Sequence, residues 1–193
     1  MLTAGHCSEG KDAWDWYTCF TENSNGICNH LLGGVSSGGV YFQDPPADND
    51  FETISTSTGG YVWDNGTASS AWGINGYITV MAGDGLTADG SVTQAVTDNN
   101  VVNAGPSFCF TENTDVGENT VCNAFELSNT QMECQPGDSG GPVLQRESNG
   151  AYAYAAGIIN AGAIFNPPNY DCYGEMISHI RTEANVKLEW YNS

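Results

Sequence analysis

Two short stretches carry residue types that do covalent chemistry when they are held together. One is Gln135-Pro136-Gly137-Asp138-Ser139-Gly140-Gly141-Pro142-Val143, a single serine set among glycines. Gly137 and Gly140 permit backbone conformations that a side chain forbids, so such a turn leaves the Ser139 hydroxyl exposed. It also aims the amide N–H groups of Gly137 and Ser139 at one spot, which is what a developing oxyanion needs. A serine hydroxyl is a poor nucleophile until a base takes its proton. The chain has 3 histidines, and of His6, His30 and His179 only His6 sits in a motif. That motif, Thr3-Ala4-Gly5-His6-Cys7, lies at the other end of the chain. The chemistry these types allow is acyl transfer to serine, which needs a base, an acid to orient the base, and an oxyanion hole.

T-A-G-H-C followed much later by C-x-x-G-D-S-G-G-P resembles the trypsin/chymotrypsin family of serine endopeptidases, and the resemblance covers nearly the whole chain. It implies an all-β fold of two six-stranded antiparallel Greek-key barrels, closed by a C-terminal helix. It implies peptide-bond hydrolysis with Ser139 as nucleophile, His6 as base, and Gly137 and Ser139 as the oxyanion hole. The family order places the acid between His6 and Ser139, at the start of a buried strand. Asn49-Asp50-Phe51-Glu52-Thr53-Ile54 fits best, so Asp50 is the expected acid, although Glu52 stands where a small residue is usual; Asp48 and Asp44 are the alternatives.

The resemblance also implies a buried, ion-paired Asp138 that holds the oxyanion turn. The expected strand Thr79-Val80-Met81-Ala82-Gly83 has no arginine to meet it. Either a segment before Met1 supplies a cation, or the turn is not in its active shape, because a buried carboxylate without a partner is costly. The implied specificity pocket is walled by Met132, Glu133, Asn160, Ala161 and Gly162. Met132 favours an apolar or aromatic side chain, whereas an inward Glu133 favours a basic one. Asn160 replaces a serine that supports the acid, and its amide still donates a hydrogen bond. Ala161 and Gly162 would bind peptide backbone as an added strand.

Seven cysteines indicate an oxidising compartment. Local spacing and the resemblance pair Cys19 with Cys28, Cys109 with Cys122, and Cys134 with Cys172. Cys7 is left over: its partner is expected on a strand before Met1, with Cys19 or Cys28 as alternatives. The chain is therefore read as lacking the opening strands of its first barrel and an upstream signal peptide, and the protein as extracellular. An inert, protease-like binding fragment is the rival reading.

Charge and composition narrow the partners. Lys+Arg number 4 against Asp+Glu 23, a formal charge of -19. Such a surface repels a phosphate backbone, so nucleic acid is excluded. No run of about 18 apolar residues exists to span a membrane. No H-E-x-x-H or His/Cys cluster marks a metal, and the acidic loop Asp44 to Asp50 lacks ordered calcium-ligand spacing. The expected partners are polypeptide substrates, met by a monomer with no cofactor.

The elements that must position these residues are short strands. Leu2 to Ala4 ends a strand just before His6. Val35, Val40 to Phe42 and Phe51 to Ile54 continue a first domain over residues 1–64. A linker is expected over 65–76 and a second barrel over 77–174, opening with strand Tyr77 to Met81. Ser91 to Val96 reads as a further strand. Val143-Leu144 and Ala153 to Ile159 flank a Ser148-Asn149-Gly150 turn. Apolar residues at helical spacing predict a helix near Glu175 to Trp190, in a final segment 175–193; His179 there is read as a packing or surface residue. Cys19-Phe20-Thr21-Glu22-Asn23 recurs as Cys109-Phe110-Thr111-Glu112-Asn113, an internal echo suited to two related barrels.

Overall fold

Short runs of apolar and small residues broken by Gly, Asn and Asp favour strands and tight turns, and strands dominate the structure. The computed structural model describes residues 2–8, 15–22, 28–34, 49–53, 60–63, 71–114, 117–129, 134–148, 150, 152–166, 169–185 and 187–188. The strands are β1 (Leu2–Thr3), β2 (Asp15–Glu22), β3 (Cys28–Gly34), β4 (Glu52–Thr53), β5 (Tyr61–Trp63), β6 (Ala71–Tyr77) and β7 (Gly85–Gly90). They continue with β8 (Gln94–Gly105), β9 (Phe110–Thr114), β10 (Gly117–Val121), β11 (Ala124–Asn129), β12 (Pro142–Arg146), β13 (Tyr152–Asn166) and β14 (Asn169–Met176). One helix follows, α1 (Ile177–Glu183), and a 3-10 turn covers Gly5–Ser8.

Six of these strands close on themselves. Their order is β12-β7-β8-β11-β14-β13, and pairing of β12 with β13 completes an antiparallel barrel. Closure removes exposed strand edges and encloses one core. Val80, Leu86, Val101, Phe125, Leu127, Val143, Ile159 and Met176 fill it. The N-terminal half contributes two two-stranded antiparallel ladders, β1–β4 and β2–β3, and no closed barrel among the described residues. A second apolar cluster joins the halves: Phe51 packs with Ile158, Ile177 and Ile180, and Leu2 lies against them. Burying a side chain the size of Phe contributes about 1.5–3 kcal/mol, so this cluster firmly anchors the residue next to Asp50.

Several boundaries differ from the sequence reading. Ala71–Tyr77, which overlaps the expected linker through residue 76, is strand β6, which pairs with β5 and runs parallel to β13. Its Trp72 and Ile74 are buried, and Arg146 lies 3.9 Å over the Trp72 ring. The expected strand Tyr77 to Met81 ends at Tyr77, and Ser91 to Thr93 form a turn before β8. Glu175 and Met176 stay extended in β14, so the helix begins at Ile177 and ends at Glu183. Val35 and Val40 to Phe42 lie outside the described residues. The second copy of the internal echo opens the β9–β10 hairpin, and residues 19–22 of the first copy end β2, which pairs antiparallel with β3.

Candidate active site

Strand β13 carries one residue more than β14 between Ile159 and Ala161, and the extra residue is Asn160. A bulge of this kind re-aims a side chain. The Asn160 amide nitrogen donates to Asp50 twice, at 2.8 Å to Oδ2 and 2.7 Å to the main-chain carbonyl. The Asn160 carbonyl accepts the Ser139 hydroxyl at 3.1 Å. One residue thus contacts both Ser139 and Asp50, and Asp50 is fully buried.

The serine turn is held by neutral donors. Asp138 is 1% exposed. Its Oδ1 accepts the amides of Val92 and Thr93 at 2.6 and 3.1 Å. Its Oδ2 accepts the Thr93 hydroxyl at 2.9 Å and the Gln135 amide at 2.8 Å. A carboxylate that accepts several N–H and O–H groups is compensated without a cation. The sequence leaves two expectations for Asp138, a cation from a segment before Met1 or a turn not in its active shape. Among the described residues the carboxylate is met by a cradle of donors from the turn between β7 and β8 and by the Gln135 main-chain amide. The Ser91 hydroxyl adds a bond to the Gly137 carbonyl at 2.5 Å.

The N-terminal segment meets this turn. Gly140 has φ +84, and a Cβ there would lie 2.2 Å from Thr3 Oγ1 and 2.9 Å from the Ala4 nitrogen. The 3-10 turn that contains His6 follows directly, and the Cys7 thiol lies 3.7 Å from the Ser139 carbonyl oxygen. The His6 side chain lies outside the described part of the structure, as do Met132 and Glu133. Ala161 and Gly162 pair with Tyr173 and Cys172.

A model of the trypsin family, described as Trypsin, matches residues 1–179. The chain belongs to the trypsin family. No curated protein matches it in sequence. Among solved structures it is similar to a glutamic acid specific serine protease that uses a histidine triad in substrate binding: 21% identity, TM-score 0.66, covering 97% of this chain and 85% of that one. It is also similar to Cellulomonas bogoriensis chymotrypsin, with 19% identity and TM-score 0.65 over 98% of this chain and 85% of that one. Thermobifida fusca protease A gives 18% and 0.65 over 98% and 83%. These likenesses establish the chymotrypsin-like fold.

Among the described residues two disulfides brace this trypsin-family chain. Cys109 is bonded to Cys122 at the base of the β9–β10 hairpin, and Cys134 to Cys172 between the serine turn and β14. Cys7 is a free thiol. The side chains of Cys19 and Cys28 lie outside the described part.

Glu175, Glu112 and Asn119 near Asp50 carry no site signal in the sequence, and His179 is expected there only as a packing or surface residue. Glu175, fully buried, accepts the Asp50 main-chain N–H on Oε2 at 2.9 Å. His179 sits within hydrogen-bonding distance of Asn49, its Nε2 2.6 Å from Oδ1. The Asn119 amide donates to the Asn49 carbonyl at 3.4 Å and to Glu112 at 3.1 Å. His179 is therefore a packing residue that steadies the segment carrying Asp50.

Burial pushes the Glu175 carboxyl well above the usual carboxylate range; the Asp50 N–H opposes this, and the charges of Asp50, Glu112 and Glu183 reinforce it. The folded state thus keeps a proton that the unfolded chain releases. The linked stability is full below the ordinary glutamate range and is lost as pH rises from there toward the raised folded value. Wild type is expected to lose about 1.4 kcal/mol per pH unit relative to Glu175→Gln across that window. Urea titrations at stepped pH check this, and parallel curves for the two proteins would contradict it.

Proposed function

We propose that this protein is a secreted serine endopeptidase. The Ser139 hydroxyl turns from the Asn160 carbonyl toward the His6 imidazole, gives up its proton, and attacks a substrate peptide carbonyl. Oγ–C bond formation yields a tetrahedral oxyanion. His6 then returns the proton to the leaving amine as the C–N bond breaks, and water releases the acyl group by the same route. Asp50 orients the imidazole. Among the described residues the amides of Asp138, Gly140 and Gly141 bond within the protein, and those of Gly137 and Ser139 do not. This supports their assignment as the oxyanion donors. The observation that carries the reading is the Ser139–Asn160–Asp50 connection, with the His6 turn seated against Ser139.

Substrate main chain adds to Asn160, Ala161 and Gly162 as an antiparallel strand, with Met132 and Glu133 lining the side-chain pocket. The two disulfides and the charge of -19 support an extracellular setting. The Asp138 cradle supports the enzymatic reading, since both carboxylate oxygens already have donors.

The cradle makes a prediction. A Cβ on Gly90 would sit 2.2 Å from both Cγ and Oδ1 of Asp138. Gly90→Ala is expected to displace that carboxylate, loosen the oxyanion turn, and lower kcat by about 10^2 to 10^3, the cost of losing an oxyanion donor. Steady-state kinetics on a peptide ester and amide check it; unchanged kcat on both contradicts it.

The functional reading is tested by incubating the protein with an unfolded, disulfide-free polypeptide and identifying new amino termini by mass spectrometry. New termini that cease after fluorophosphonate treatment are expected. Absence of cleavage, or cleavage indifferent to the reagent, overturns the proposal.

A further inference from the structure

Asp50 is held by more than the residue that links it to Ser139. Asn160, Glu175 and Asp50 form a closed ring of buried hydrogen bonds. The Glu175 amide donates to Asn160 Oδ1 at 2.8 Å, and Asn160 Nδ2 donates to Asp50 Oδ2 at 2.8 Å. The Asp50 amide returns to Glu175 Oε2 at 2.9 Å. Every member is at most 2% exposed. The ring joins three parts of the fold: the bulge of β13, the end of β14, and the segment just before β4. Buried polar groups are satisfied as a set or become costly. Removing one member therefore releases the others.

We infer that Glu175 is a positioning residue for Asp50: its carboxyl holds the Asp50 main-chain N–H, which keeps the Asp50 carboxylate turned toward Asn160 and the base. This rests on the proposed function, in which Asp50 orients His6. The role asks for an acceptor oxygen of the right length, not for a charge. A charge would be harmful, because it would place a second anion beside Asp50 in a dry site. Burial and the neighbouring Asp50, Glu112 and Glu183 all favour the protonated carboxyl. His179, whose Nε2 lies 3.8 Å from Glu175 Oε1, is the basic group that faces it.

Two substitutions separate this from simple core filling. Glu175→Gln keeps an oxygen at the same reach, whereas Glu175→Ala removes it. Glu175→Gln is expected to keep kcat within about 3-fold of wild type. Glu175→Ala is expected to lower kcat on the order of 10^2-fold, as displacement of an orienting group by about 1 Å does, with KM changed by less than about 2-fold because no substrate contact is lost. A Glu175→Ala enzyme with wild-type kcat, or a Glu175→Gln enzyme as impaired as Glu175→Ala, overturns the inference.

A second readout does not depend on activity. Amide hydrogen exchange at Asp50, followed by NMR, is expected to be slow in wild type and Glu175→Gln. Fast exchange at Asp50 in folded wild type, or equal protection in Glu175→Ala, overturns the inference. If the wild type hydrolyses nothing, the functional proposal fails, and the exchange measurement still decides whether Glu175 holds Asp50.

Discussion

Ser139→Ala is expected to lower kcat for peptide-bond hydrolysis on the order of 10^6-fold and to leave KM within a few-fold. The size follows from the role. Loss of the nucleophile removes the covalent route, while an intact oxyanion hole and strand-addition site leave a residue of about 10^3 to 10^4 over water. The substitution is mild for the fold. Among the described residues Ser139 Oγ donates to the Asn160 carbonyl, and a bond of that kind is worth about 1 kcal/mol net. The turn itself is fixed by Asp138 and by the close approach of Gly140 to Thr3 and Ala4. Kinetics on purified protein with an unchanged melting profile check the prediction. Retained activity above about a hundredth of wild type would remove Ser139 from the mechanism.

Asp50→Asn is expected to lower kcat about 10^4-fold near neutral pH, again with KM nearly unchanged. Asp50 Oδ2 accepts from the Asn160 amide at 2.8 Å, so an asparagine here turns its oxygen to Asn160 and its NH2 to the other side, where the proposed mechanism has the carboxylate meet His6. That NH2 then selects the wrong imidazole tautomer and offers no negative charge to the imidazolium. The main-chain bonds to Glu175 and Asn160 remain, and Phe51 keeps its place beside Ile158 and Ile177. Folding is therefore preserved while catalysis is lost. Activity within 10-fold of wild type would shift the role of acid to Asp48 or Asp44.

The serine turn and the histidine turn stand out in the sequence because their residue types fall at short spacing, and short spacing survives as a motif. Asp50 stands out through the Asn49-Asp50-aromatic pattern and Asn160 through its place on the strand after the serine, and the structure brings the two together. The supports of Asp50 do not stand out. Glu175 meets Asp50 across 125 residues, and only barrel closure brings β14 beside the segment before β4. The Asp138 cradle was hidden for another reason: three of its four donors are main-chain amides, which every residue except proline possesses. A search for a cation could not find them. Strand β6 looked like linker because Ala71, Gly73, Asn75 and Gly76 are small or polar, yet Trp72 and Ile74 pack under Leu144 and Ala153. The helix was read two residues too early, where Glu175 and Met176 have helical spacing but remain paired in β14.

The central claim is that the hydroxyl of Ser139 is activated by its surroundings. Reaction with a fluorophosphonate probe, followed by mass spectrometric mapping of the adduct, tests it most directly. One probe per chain is expected, on Ser139, absent from Ser139→Ala and greatly slowed in Asp50→Asn. An adduct on any other residue, or undiminished labelling of Ser139→Ala, would contradict it.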